Sequence, residues 1–297
     1  MPYKHREVTK EDFEKIRLHC WRTEEAPSMK NIEMLFLVAD TQDDRSVVGI
    51  FGLDVNDNLY LIESKEVQYL ILTDEERNKI NEVNKKEAFE NNAPYLPVIT
   101  VEDMLKKQYL IEDGIGIRPT FALIDRQGHR TNEVQFFAEK NNNCMMYQGA
   151  ALQTSTWRMS DNNRRLILAS AKHFQSILIY YLYSQKKRKE NYLYFHPDIS
   201  DEVLKQIVCV KPDNTKKFGS DPANWMPQGD AVHDFFDVCK MAYVAVDFAL
   251  QTMSRNRWRF CQSPSIRRRW SKAVDSENEI KQRAPEIKEN TSSWFNS

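Results

Sequence analysis

Three aspartates stand where an ordinary fold has little use for a charge. Asp40 ends the apolar run that begins at Met34, and Asp125 ends a second run that begins at Phe121. Asp234 lies in a stretch, Asp230 to Val246, that otherwise reads as a buried helix. A carboxylate at the end of a buried strand or on a buried helix is costly unless something offsets its charge. Where several such carboxylates converge, oxygen-bound divalent cations are the usual offset. Two cations about 3.5–4 Å apart, held against a phosphate, can activate a water and stabilise the departing oxygen. The pattern therefore points to metal-assisted phosphodiester hydrolysis, with Asp40, Asp125 and Asp234 as catalytic ligands. The cofactor expected is Mg2+ or Mn2+, as two ions, because carboxylate sites accept either metal.

Other polar residues rank behind these three. Asp230, Asp234 and Asp237 are spaced i, i+4 and i+7, which places them along one face if the helix runs from Ala231 to Arg255. Like charges so placed repel unless a cation lies opposite. Asp234 ranks first as a ligand, Asp230 second as a metal ligand, and Asp237 third, because Asp237 can instead pair with Lys240. Asp43 and Asp44 read as turn acids, His233 as a helix-surface residue and His196 as a packing or capping residue. Phosphate contacts are expected from Arg126, His129, Arg130 and Lys172, which lie near the proposed centre. Arg255, Arg257 and Arg259 open a run to Lys272 that holds seven basic residues and no acid, interleaved with Trp258, Phe260 and Trp270. Such a segment suits a DNA backbone. The cluster Lys186–Lys189 has a simpler use, complementing a helix C-terminus.

The elements that must position these groups follow from periodicity. Strands are expected over Glu33–Asp40, Ser46–Leu53 and Leu59–Ser64, a three-strand meander whose first member is central. An exposed helix is expected over Thr73–Asn91 and a shorter one over Val101–Glu112, with Met104, Leu105 and Tyr109 on one side. Alternation follows: strand Thr120–Asp125, helix Asn132–Lys140, strand Cys144–Tyr147, strand Leu166–Ser170, helix Lys172–Lys189, edge strand Tyr192–Phe195, helix Asp201–Val210, and the closing helix. Antiparallel strands first and alternating units afterwards predict an α/β fold, a mixed β-sheet with helices on both faces, and that order of elements resembles an RNase H-like fold. In that fold the central first strand, a neighbouring parallel strand and the closing helix each bring one acid. Residues 1–30 read as a polar, helical lead-in, 31–258 as the domain, and 259–297 as a basic then polar tail with few apolar residues, expected to be flexible.

With those motifs in view, the chain resembles the nuclease domain of phage terminase large subunits of the lambda (GpA-like) type. Asp40-Thr-Gln-Asp-Asp-Arg45 is similar to that family's D-x-Q-x-D-R segment. Asp125-Arg-Gln-Gly-His-Arg-Thr131 is similar to its D-[ST]-G-G segment, which often continues H-R-T. Tyr147-Gln-Gly-Ala150 resembles its K-G-A strand end with Gln148 in place of lysine, and Tyr194-Phe-His-Pro197 resembles H-F-P. Trp225 and Asp230-Ala-Val-His-Asp234 stand where the family has a tryptophan and N-E-A-L-D, with Asp230 in place of asparagine. The resemblance spans roughly residues 32–258. It implies an endonuclease that cuts concatemeric double-stranded viral DNA as capsid filling starts and ends. The partners it implies are the terminase ATPase portion, the small terminase subunit and the portal, and the location it implies is the host cytoplasm.

Composition sets the outer bounds. The chain has 297 residues, 29% of them charged, with a net charge of −1, so local clustering rather than overall charge must attract nucleic acid. Five cysteines without a C-x-x-C pair suit reduced thiols inside a cell. No stretch approaches the roughly 18 apolar residues a membrane helix needs, so no membrane partner is expected. No G-x-x-x-x-G-K-[ST] segment occurs, so these residues offer no phosphate loop for a motor; an excised domain and a naturally short product both fit that. Two alternatives stay open: another RNase H-like DNA enzyme, such as a resolvase or transposase core, and a catalytically silent DNA- or portal-binding module.

Overall fold

Ten residues from Ile32 to Thr41 are buried without a break, which only a strand covered on both faces permits. This strand, β1, pairs antiparallel with β2 (Arg45–Asp54), which pairs antiparallel with β3 (Leu59–Gln68). On its other side β1 pairs parallel with β6 (Pro119–Asp125). The parallel run continues through β7 (Cys144–Ala150) to β9 (Leu166–Ser170), and β8 (Trp157–Met159) closes that edge antiparallel. At the opposite edge β10 (Leu193–Phe195) lies parallel to β3. The eight-stranded order is β10-β3-β2-β1-β6-β7-β9-β8, so β1 is central as its apolar run predicts. Two small pairs stand apart: β4 (Tyr109–Leu110) with β5 (Gly116–Ile117), and β11 (Val210–Lys211) with β12 (Met226–Pro227).

The structure is a computed structural model that describes residues 9–17, 19–20, 31–42, 45–68, 96–110, 116–127, 131–151, 156–183, 193–213, 215 and 218–253. The helix expected over Thr73–Asn91, the cluster Lys186–Lys189, Asp43, Asp44, His129 and Arg130 lie outside these residues. So does everything from position 254 onward, including Arg255, Arg257, Arg259 and the tail.

Helices cover both faces of the sheet. One core contains Met34, Phe36 and Val38 of β1 and the apolar faces of α4 (Ala171–Tyr183), α5 (Asp201–Val208) and α6 (Asp234–Met253). The other contains Leu35, Leu37 and Ala39 with side chains of α2 (Leu96–Lys106) and α3 (Thr131–Lys140). The N-terminal helix α1 (Lys10–Arg17) joins the first core through Ile16, which is fully buried. His19, just beyond it, places its ring nitrogens 3.1 and 3.0 Å from the carbonyls of Leu193 and Leu182, tying residues 10–20 to the sheet edge. This is the α/β, RNase H-like arrangement expected: a mixed sheet flanked by helices on both faces. Gly49 of β2 lets α6 lie close, since a Cβ there would sit 2.6 Å from the Phe51 ring and 3.0 Å from a Val238 methyl.

Two of the boundaries that differ from expectation bear on how the site is framed. The helix expected over Val101–Glu112 ends at Lys106, and Tyr109 joins a strand pair instead. Its phenol donates to Glu63 at 2.7 Å, a tertiary bond that draws the chain away from the helix axis. The closing helix begins at Asp234, not Ala231. His233 is its capping residue, its carbonyl accepting from Asp237 N, while Gln206 of α5 accepts from Phe235 N. Asp230 consequently sits in an exposed turn beside Gly229, whose φ is 59°, and not on the helix face that the spacing suggests.

Candidate active site

Side chains alternate along a strand, and that period decides which way each acid faces. On β1, Phe36 and Val38 point to the α6 face, so Asp40 points there too; on β6, Phe121 and Leu123 place Asp125 on the same face. The two strands are parallel neighbours with Ala39 opposite Ile124, so both acids emerge at the same end of the sheet. Two short links hold these ends in line. Thr41 Oγ1 donates to the carbonyl of Asp125 at 3.2 Å. Gln127 bridges on to β7, its side-chain oxygen accepting from Gly149 N at 2.8 Å while its own N–H donates to Asp125 Oδ1 at 2.9 Å.

The first turn of α6 brings the remaining acids, Asp234 and Asp237. Asp234 is 7% exposed and Asp40 only 4%. Burial first, and then the charges of Asp125, Asp237 and Asp234 in that order, hold the Asp40 carboxyl well above its usual range. Burial pushes Asp125 up to about 6, with Asp237 adding to it, while the backbone N–H of Gln127 and the charge of Lys240 act in the opposite direction. Tyr147 of β7 is on the same face, and its phenol is raised by burial and by Asp125, Asp237 and Asp40. Burial pushes the Cys209 thiol up to about 12, with Asp237 and Asp234 contributing. Four carboxylates therefore bear on one another at this end of the sheet.

The cations that meet them come from the protein itself. Arg45, at the start of β2 and on the α6 face like Val47, donates to Asp234 Oδ2 from Nη2 at 2.6 Å and from Nε at 3.2 Å. Glu66 across the hairpin lies 3.6 Å from Arg45 Nε. Lys240 makes a close ion pair with Asp237, and His233 Nε2 lies 3.6 Å from the other Asp237 oxygen. Gln42 donates to Asp40 Oδ2 at 2.9 Å. The segment Asp40-Thr-Gln-Asp-Asp-Arg45 is thus one device in three of its positions: an acid, a neutral donor to that acid, and a cation for a second acid on the helix.

Asp40, Asp125 and Asp234 are brought into this cluster, and so is Asp237, ranked third from spacing. Asp230 is not among the charges felt by Asp40 or Asp125. Arg126 directly follows Asp125, and its Nε is buried without a hydrogen-bond partner among the described residues. Lys172 is exposed at the start of α4, donating to Asn224 Oδ1 at 3.3 Å. His196 packs at the far edge, where its Nε2 lies 3.2 Å from Ser64 Oγ. Sequence reasoning missed Gln42, Arg45, Gln127 and Tyr147 as members of the site. The period-2 alternation of β2 and β7 could have found Arg45 and Tyr147, since both share a face with core residues whose direction is known.

Hard oxygen donors in this number fit a magnesium- or manganese-type cation. Among the described residues, no group of three His, Cys, Asp or Glu side chains stands close enough to hold one ion as it is. Asp234 and Asp237 are paired instead with Arg45 and Lys240. Among the same residues, no helix is long and apolar enough to cross a membrane.

No curated protein and no solved structure matches the chain. A family model does, over residues 1–258, and those residues contain every element that builds the acid cluster. The chain belongs to the family of the terminase large subunit gpA endonuclease domain.

Proposed function

We propose that the chain is a divalent-metal-dependent endonuclease that cuts double-stranded viral DNA during genome packaging in the host cytoplasm. The observation that carries this reading is the meeting of Asp40 and Asp125, at the ends of adjacent parallel strands, with the acids of the first turn of α6. Asp40, Asp125 and Asp237 would hold the metal. Asp237 is the better placed of the two helix acids, because its charge bears on both Asp40 and Asp125, while Asp234 comes after it among the charges on Asp40 and is paired with Arg45. Asp234 keeps Arg45 beside the cluster. When bound, a pair of such cations supplies an activated water and a stabilised leaving oxygen; no side-chain nucleophile is needed.

The remaining residues prepare the site. Gln42 fixes one oxygen of Asp40, leaving the other available. The Gln127 backbone does the same for Asp125. Tyr147, buried beside Asp125, would wall the cluster from the core. Arg126, His129, Arg130 and Lys172, and beyond them Arg255, Arg257 and Arg259, are proposed to meet phosphates along the DNA. The terminase ATPase portion, small subunit and portal would choose where cutting occurs, so this chain alone should nick DNA with little sequence preference. The test is plasmid nicking with magnesium, with manganese and with neither. Cutting without metal, or undiminished cutting by Asp40→Asn, would remove the assignment.

A further inference from the structure

Lys240, which the spacing offers as a partner for Asp237, sits beside the acid cluster. Its side chain is only 13% exposed, and a lysine is seldom so buried without a partner. It stands one helical turn after Asp237, in close contact with Oδ1 of that residue, and its charge also reaches Asp125 on β6. The ammonium is therefore aimed into the acid cluster rather than along the helix surface. Arg45 plays a comparable part for Asp234 but is anchored by Glu66 from the neighbouring strand. Asp237 is the one of the two helix acids whose charge bears on both strand-end acids, so its neutralisation matters most.

We propose that Lys240 is a tethered counter-ion of the metal site: it neutralises Asp237 in the metal-free chain and releases that carboxylate when divalent cations enter. The inference rests on the metal-dependent reading above and adds a regulator to it. Among the described residues, the side-chain cations paired with the four carboxylates are Arg45 and Lys240; without them the acids would repel one another strongly at neutral pH, and the lysine keeps the first turn of α6 docked until metal arrives. Because a tethered cation and a free one compete for the same oxygens, Lys240 raises the metal concentration at which the site loads. It is a positioning residue, not a group that touches the phosphate.

The experiment uses the chain as it is, with Lys240→Met and Lys240→Arg, in manganese titration calorimetry and in thermal unfolding with and without saturating manganese. Metal-free Lys240→Met should melt below wild type, and saturating manganese should close that gap. Its manganese affinity should rise at least fivefold, while Lys240→Arg stays within about twofold of wild type. A deficit in melting temperature that persists at saturating manganese, or an unchanged affinity, overturns the proposal. A Lys240→Met chain that folds only when manganese is supplied is the expected result in stronger form. One that folds in neither condition assigns the lysine a purely structural role and overturns it as well. Absence of manganese binding by wild type would sink the metal reading and the exchange together. Wild-type binding with an unaltered variant sinks the exchange alone.

Discussion

Asp40 and Asp54 are the same residue type, buried to the same degree, at opposite ends of one antiparallel hairpin. They are 4% and 6% exposed, and the register sets Ile32 opposite Asp54 and Asp40 opposite Val47. Their surroundings differ completely. Asp54 takes hydrogen bonds from the backbone N–H of Asn56 and Asn58, from the Asn58 amide and from the Tyr60 hydroxyl. All four donors lie within six residues of it, so the turn that buries the charge also satisfies it. Asp40 receives Gln42 and otherwise faces Asp125, Asp237 and Asp234. Burial of a carboxylate therefore does not mark a functional centre. Burial among other carboxylates is what sets Asp40 apart.

The largest expected effect breaks the comparison in two. Asp40→Asn should lower metal-dependent nicking by at least about a hundredfold, since even outer partners of a metal site are typically worth about ten- to a hundredfold. The same change removes a charge from a repulsive cluster, so the metal-free melting temperature should stay level or rise. Asp54→Ala should do the reverse. It strands buried donors and should cost about 2–4 kcal/mol of stability, read as a lower urea midpoint, while the folded fraction nicks DNA at close to the wild-type rate. If Asp40→Asn destabilises as Asp54→Ala does, Asp40 is a structural acid and the proposed centre is wrong.

A finer contrast lies within the first turn of α6. Asp237→Asn should weaken manganese binding in calorimetry by at least about tenfold, as expected when a direct ligand is lost. Asp234→Asn should weaken it less, because Arg45 already occupies that carboxylate, and its main effect should be on stability through the loss of that pair. The opposite ranking would return the ligand role to Asp234.

Why the sequence revealed one part of this and not another is a matter of range. An acid closing an apolar run is visible by inspection, so Asp40 and Asp125 stand out, and the order of elements around them is enough to foresee a mixed sheet with β1 central. The helix acids were legible as a group, and Asp230 alone was misplaced, because the i, i+4, i+7 spacing assumed a helix already begun at Ala231. The helix starts three residues later, where Gln206 of a different helix receives the Phe235 N–H, and that contact is written nowhere near position 231. Arg45 meets Asp234 across 189 positions of chain. A pairing of that separation exists only after the sheet has formed, whereas Asp54 and its donors form a local pattern any reader can find. The end of the hairpin that carries the proposed site is the non-local one.

The smallest expected effect is a slope. A carboxyl whose folded-state value is raised binds its proton more tightly folded than unfolded, so it stabilises the fold below its unfolded value and loses that contribution as pH rises. Asp125 is raised from 3.8 to about 6, and Asp40 is raised well above its usual range. The metal-free chain should therefore lose stability as pH climbs from about 4 through 6 and beyond, with Asp125→Asn showing a shallower decline over the lower part of that window. Metal ligands must be deprotonated to bind, so saturating manganese should invert the slope, its stabilisation growing as protons leave. Thermal melts at several pH values, for wild type and Asp125→Asn with and without manganese, measure both slopes. Parallel curves for the two proteins would mean that Asp125 does not carry the raised proton affinity its neighbours impose. A slope that manganese leaves unchanged would mean that the protons and the metal are not competing for the same oxygens.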